Sequence, residues 1–258
     1  MIKMIFFIFV LITLLPAAYS AHYIVGKVSP ANDTTSPNGR IIVLWNPANG
    51  MSDNLTDTVG PSGNSGVSNT YMIDCELLQT PCKVGDKLNL TLIDDGTGHV
   101  ATSPVQVQVT GAGFNIAPNI SMNSPPNVTN ISVDDIFQNP ADEIDLTPAN
   151  TTSVICSAII TDPDGIGQLS EYNSSFYSLN SSFFSDADDN NLHYTNSSCA
   201  VNTSYGGPTE ASINCTFNVW YYANAESWAC TIKAKDVFNT SSNSTDSTKI
   251  NALLALGA

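Results

Sequence analysis

The chain has 258 residues, of which 42% are hydrophobic and only 12% charged, with 23 acids against eight cations and a formal charge of −15. A surface this acidic is repelled by phosphate backbones and anionic lipid, which excludes nucleic acid as a partner. With so few charges, the polar surface must come from Asn, Ser and Thr.

The first twenty residues read as a leader. Lys3 precedes an apolar run from Ile5 to Leu15, interrupted only by Thr13. Pro16 ends the run, and Ala18-Tyr19-Ser20 supplies small residues at the −3 and −1 positions of a cleavage site. That layout is a secretory signal peptide, residues 1–20, cut near Ser20–Ala21. The run is shorter than the ~20 residues that span a bilayer. Loss of Lys3 leaves the mature chain near −16. Export brings the six cysteines, all in the mature part, into an oxidising compartment where an even number is expected to pair.

Beyond the leader, the expected fold class is all-β, with little helix and two antiparallel β-sandwich domains in tandem. Short alternating or β-branched segments recur between Gly, Pro, Asn and Asp clusters. The first domain, residues 21–113, shows strands near His22–Val28, Arg40–Trp45, Thr70–Leu77, Lys87–Ile93 and Val105–Val109. In the last of these, three valines share one face and two glutamines the other, as period two requires for a half-buried strand. Residues 114–126, with Pro118, Pro125 and Pro126, read as a stiff linker. The second domain, 127–258, shows strands at Ile131–Asp134, Thr152–Thr161, Leu169–Tyr177, Leu192–Thr195, Ala211–Tyr222 and Trp228–Lys235. The apolar ending Lys249–Ala258 is too short to span a membrane and would suit a chain that continues into a further module. Any membrane attachment would then come from such a missing C-terminal region.

Two of the second domain's strands carry a cysteine in the middle of an apolar face. Val154, Cys156, Ala158 and Ile160 line one, and Trp228, Cys230, Ile232 and Ala234 line the other, which is what a disulfide between two sheets requires. Cys199 and Cys215 flank the turn Tyr205-Gly206-Gly207-Pro208, and Cys75 and Cys82 lie close together across a short loop. Opposed strands on either side of that turn would bring Cys199 and Cys215 within the ~4–7 Å Cα separation that a bridge needs, and a Cys75–Cys82 bridge would pin its short loop. Paired C-x-x-C spacing is absent, so a zinc site is not expected.

N-x-[ST] sequons are dense, at Asn32, Asn54, Asn89, Asn119, Asn127, Asn130, Asn150, Asn173, Asn180, Asn196, Asn202, Asn214, Asn239 and Asn243. An Asn/Ser/Thr-rich chain yields some of these by chance, and use of any of them needs an exposed position and a glycosylating host. Two acidic loops carry hard oxygen ligands suited to Ca²⁺. One holds Asp162 and Asp164, the other Asp186, Asp188 and Asp189. The plainer reading of Asp-Pro-Asp-Gly is a turn. Apart from calcium, no cofactor is expected. Trp220, Tyr221 and Tyr222 end a long strand, where alternation turns at least one ring outward, either as a platform for sugar or protein or, as is commoner, with the rings in the core and against a neighbouring loop. The histidines, His22, His99 and His193, belong to no recognisable catalytic motif, so no catalytic residue is assigned and the chain is not expected to be an enzyme.

Gly39–Asn46, Asn69–Asp74 and Val84–Leu88 resemble the carboxypeptidase-regulatory-like (transthyretin-like) sandwich modules, non-catalytic additions to exported proteins. In the second half, Asp162-Pro163-Asp164-Gly165 after one cysteine strand and Lys233-Ala234-Lys235-Asp236 along the other resemble immunoglobulin-like (Ig-like) modules. The spacing of Cys156 and Cys230, with an aromatic residue two before the second, resembles the immunoglobulin B–F disulfide. The pairing of both modules behind a leader is similar to modular surface proteins of archaea. That resemblance implies a secreted or cell-surface glycoprotein, structural or adhesive, whose partners are other envelope or cell-surface proteins or glycans. Two alternatives stay open: a carbohydrate-binding or accessory module of a larger exported enzyme, and an enzyme whose triad assembles only in space.

Overall fold

The computed structural model describes residues 21–111, 113–136 and 143–253. The leader at 1–20 and the end of the apolar tail, 254–258, lie outside the described residues. The chain forms two compact units. Of the described residues, one unit comprises those up to Ser29 with those of Ser36–Ile93 and Ser103–Ser121, and the other comprises Pro30–Thr35, Asp94–Thr102 and those from Met122 onward. Both are built from strands, and the only helical pieces among the described residues are two short 3-10 turns.

The first unit holds β1 (Tyr23–Ser29), β2 (Ile41–Trp45), β3 (Asn54–Thr58), β4 (Thr70–Asp74), β5 (Lys87–Leu92), β6 (Val105–Gln108), β7 (Phe114–Ile116) and β8 (Ile120–Ser121). One sheet runs β4-β1-β7, with β8 also on β1, and the other runs β3-β2-β5-β6. Alternation puts Leu88, Leu90 and Leu92 of β5 and Val107 and Val109 in the core, while Gln106 and Gln108 stay in solvent. Across from Gly26 of β1 lies Tyr71 of β4, fully buried. The tyrosine ring occupies the space a side chain would need, since a Cβ on Gly26 would sit 2.2 Å from the Tyr71 hydroxyl.

Two local features differ from the sequence expectation. The strand expected over Thr70–Leu77 stops at Asp74, and Cys75–Leu77 turns into a 3-10 helix. The Cys75–Cys82 disulfide, with a Cα separation of 5.6 Å, closes that loop, and Asp74 accepts the Glu76 amide at its start. The stretch 114–126, read as a linker, contains β7 and β8, both parallel to β1. Segments of two or three residues are too short to display a period, and only the open edge of β1 gives them partners.

The second unit holds β9 (Asn127–Asp135), β10 (Glu143–Ile144), β11 (Thr151–Thr161), β12 (Leu169–Ser178), β13 (His193–Asn196), β14 (Ala200–Asn202), β15 (Glu210–Trp220), β16 (Ser227–Asp236) and β17 (Ser241–Ile250). Its sheets run β14-β15-β11-β9 and β10-β17-β16-β12-β13. The Cys156–Cys230 disulfide joins β11 of one sheet to β16 of the other across 74 residues of sequence. Closing so long a loop restrains the unfolded chain by about 4–5 kcal/mol in the chain-entropy model. Cys215 on β15 lies directly opposite Cys156 on β11 and is disulfide-bonded to Cys199, and no described cysteine is free. Beside this layer, Trp228 stacks on Phe176 at 4.8 Å and donates its indole N–H to the Asn224 carbonyl at 2.9 Å. The ring is fully buried and its polar atom is satisfied.

β17 has no counterpart in the sequence reading. Its residues, SSNSTDSTKI, carry a single large apolar side chain, yet it pairs with β16 from Lys235↔Ser241 to Ser227↔Lys249. Only Thr248 and Ile250 enter the core. Backbone pairing to a well-anchored neighbour, rather than an apolar face, makes this strand.

Candidate functional site

The Asp162-Pro163-Asp164-Gly165 loop leaves the end of β11 and enters the second 3-10 turn, Ile166–Gln168. It lies within the second unit. Asp162 is fully buried. Its Oδ1 accepts the Asp164 amide at 2.9 Å, while its buried Oδ2 has no partner. Burial pushes its carboxyl up to about 6, and the neighbouring charges of Asp164 and Asp236 push the same way.

Asp236, at the end of β16, is also buried. Its Oδ1 accepts the amides of Phe238 and Thr240, and its Oδ2 accepts from the Thr240 hydroxyl and, at 2.7 Å, from Asn123 Nδ2. Asn123 is fully buried, and its Oδ1 is left without a partner. Asp164 accepts from the Ser124 amide and, at 2.7 Å, from Asn32 Nδ2. Gln168 donates to the Asp164 carbonyl at 3.2 Å, leaving its buried Oε1 unpartnered. Thr161 and Pro163, on either side of Asp162, line a cleft of about 420 Å³. The sequence singled out Asp162 and Asp164. Asp236 appeared only within the Lys-Ala-Lys-Asp resemblance, and Asn123 and Gln168 carried no signal.

The second acidic loop is occupied differently. Asp186 accepts the Ser182 hydroxyl and the Phe183 amide, Asp189 accepts the Asn191 amide, and Asp188 meets His193 Nδ1 at 3.2 Å. These are the bonds of a folded turn. Among the described residues, no three or more His, Cys, Asp or Glu side chains form a metal cage by themselves.

Trp220 is the last residue of β15, so strand alternation does not carry into Tyr221 and Tyr222. All three rings are therefore accessible, at 38, 39 and 43% exposure. Trp220 and Tyr222 stack at 5.8 Å with 14° between planes, and Tyr221 meets Tyr222 edge-on at 5.1 Å. Asn190 Nδ2 donates to the Tyr222 hydroxyl. The result is a ridge of stacked aromatics with polar rims, in which all three rings are accessible where alternation required at least one.

The histidines lie apart in role. His22 is buried with its ring on Asn115, His99 bonds Asp33, and His193 stacks on Tyr177. Of the sequon asparagines, Asn89, Asn173 and Asn196 are half-buried and the others exposed.

No family model matches this sequence, and no curated protein matches it. Looser likenesses exist among solved structures. A variant of the major pilin subunit of Bacillus cereus is 8% identical with a TM-score of 0.47, covering 89% of this chain and 69% of that one. The full-length major pilin SpaD of Corynebacterium diphtheriae is 11% identical with a TM-score of 0.41, covering 92% and 65%. The fibronectin(III)-like modules of Clostridium thermocellum CbhA are 13% identical with a TM-score of 0.29, covering 94% and 96%. The chain thus spans about two thirds of the length of the pilins it matches. At identities and scores this low, the likeness assigns neither family nor role.

Proposed function

We propose that this chain is a secreted or cell-surface protein with a structural or adhesive role, displaying disulfide-locked sandwiches and working without catalysis. The observation that carries this reading is the pairing of every described cysteine, one pair bolting two sheets together. Thiols in a reducing cytosol are not kept this way. The sequence leader and the sequons point to the same compartment. In the second unit, β10 runs parallel to β17 and the order β14-β15-β11-β9 faces β17-β16-β12, which supports an Ig-like module. A carboxypeptidase-regulatory-like identity for the first unit rests on sequence resemblance alone. Partners on this reading are other envelope proteins or surface glycans. Antibody labelling of intact native cells, with and without protease shaving, tests the location: signal confined to permeabilised cells overturns it.

The aromatic ridge favours a second reading, a carbohydrate-binding module, because stacked exposed rings suit the apolar faces of sugars. A glycan array separates the two. Specific binding that disappears in Trp220→Ala supports the second reading, and no binding leaves the structural role.

A further inference from the structure

We propose that the second unit binds one hard divalent cation, calcium in preference to magnesium, through the unpartnered oxygens of Asp162, Asn123 and Gln168, with the charges of Asp164 and Asp236 beside them. Three buried side-chain oxygens here lack any partner: Asp162 Oδ2, Asn123 Oδ1 and Gln168 Oε1. All three are acceptors. Contacts tie their residues into one neighbourhood: Gln168 bonds the Asp164 backbone, the Asp164 amide bonds Asp162, Ser124 next to Asn123 donates its amide to Asp164, and Asn123 bonds Asp236. Turning over the Asn123 amide would not cure its orphan, since its oxygen would then face the Asp236 carboxylate.

Each unmet buried acceptor costs about 1–3 kcal/mol, and natural folds rarely tolerate several together. The charges acting on Asp162 are those of Asp164 and Asp236, both negative. One cation answers both deficits. The donor set is carboxylate and amide oxygen, without sulfur or imidazole, which suits calcium and not zinc. Calcium takes six to eight such oxygens in flexible geometry, whereas magnesium demands a tight octahedron. Because no three acids form a cage alone, the amides and water complete the shell.

Calorimetric titration of the mature chain, freed of metal by chelator, tests this with calcium chloride as the probe. The expected result is one site with Kd of about 10⁻⁵–10⁻³ M, a raised Tm, and magnesium bound at least about tenfold more weakly. Asp162→Asn keeps the side-chain shape and weakens calcium at least about tenfold, and Asp186→Asn leaves it unchanged. Should Asp162→Asn fail to fold by circular dichroism, Gln168→Ala replaces it with the same expectation of weakened binding. Absence of heat and of any Tm shift in the wild-type chain up to ~10 mM calcium overturns the proposal. So does undiminished binding in a folded variant.

Discussion

Asp57 in the first unit and Asp162 in the second are both acids taken out of water, yet their oxygens meet different neighbours. Asp57 Oδ1 accepts the Asn64 amide at 2.9 Å and its Oδ2 accepts the Met72 amide at 2.8 Å. Asp53 does the same for Gln79 and Thr80, at 2.7 and 3.0 Å. These carboxylates act as acceptors for backbone N–H groups that have no strand partner, which is why the fold can bury them. Asp162 accepts the Asp164 amide at Oδ1 and keeps an unpartnered Oδ2 beside two further carboxylates. An acid satisfied by amides is part of the fold. An acid left facing its own kind needs something brought from outside.

Breaking the satisfied case has the largest expected effect. Asp57→Ala leaves the amides of Asn64 and Met72 without acceptors and costs about 3 kcal/mol, measured by urea unfolding. That loss should be the same in calcium and in chelator. If calcium alters it, the two units do not solve the problem separately.

Asp162→Asn sharpens the other side. In chelator it removes a buried like charge and should change stability by less than about 1 kcal/mol, in the stabilising direction. In calcium the order reverses, because only the wild type gains from the ion. A large loss in chelator would mean that Asp162 is held by donors after all.

The smallest effect is expected at Glu226, an acid of a third kind near the surface. Hydrogen bonds from Asn180 and Ser178 hold its carboxyl below the usual range. The sign follows from that depression. Its contribution is present above the ordinary carboxyl pKa and disappears as pH falls through the lower folded value. Glu226→Gln should therefore flatten the acid limb of stability against pH by slightly lowering the neutral plateau. Thermal melts between pH 3 and 7 check this, those limits being set at about the carboxylate range.

The strands that the sequence made legible are those with a buried apolar face, such as β5, β11 and β16. β17 and β3 were silent because polar residues, mostly Ser, Thr, Asn and Asp, make up all but one of the positions in each. β7 and β8 were silent because they are short and lie in a stretch whose prolines suggest a linker. The same divide runs through the candidate site. Asp162 and Asp164 stand out as an Asp-x-Asp-Gly motif, but Asn123 looks like any other asparagine of an Asn-rich chain. The aromatic ridge was half legible: the residues were named, but alternation required only that at least one ring face outward, and the turn at Tyr221–Tyr222 leaves all three accessible.

Composition, period and cysteine placement determined by themselves an all-β chain with its disulfide partners, because those properties are carried by neighbours along the chain and by the two-residue repeat of a strand. Tertiary structure alone decided which polar groups are stranded without partners. Burial of Asn123, Asp162 and Gln168 among carboxylates depends on three segments meeting in space, and no local pattern encodes how many of a residue's lone pairs will find a proton.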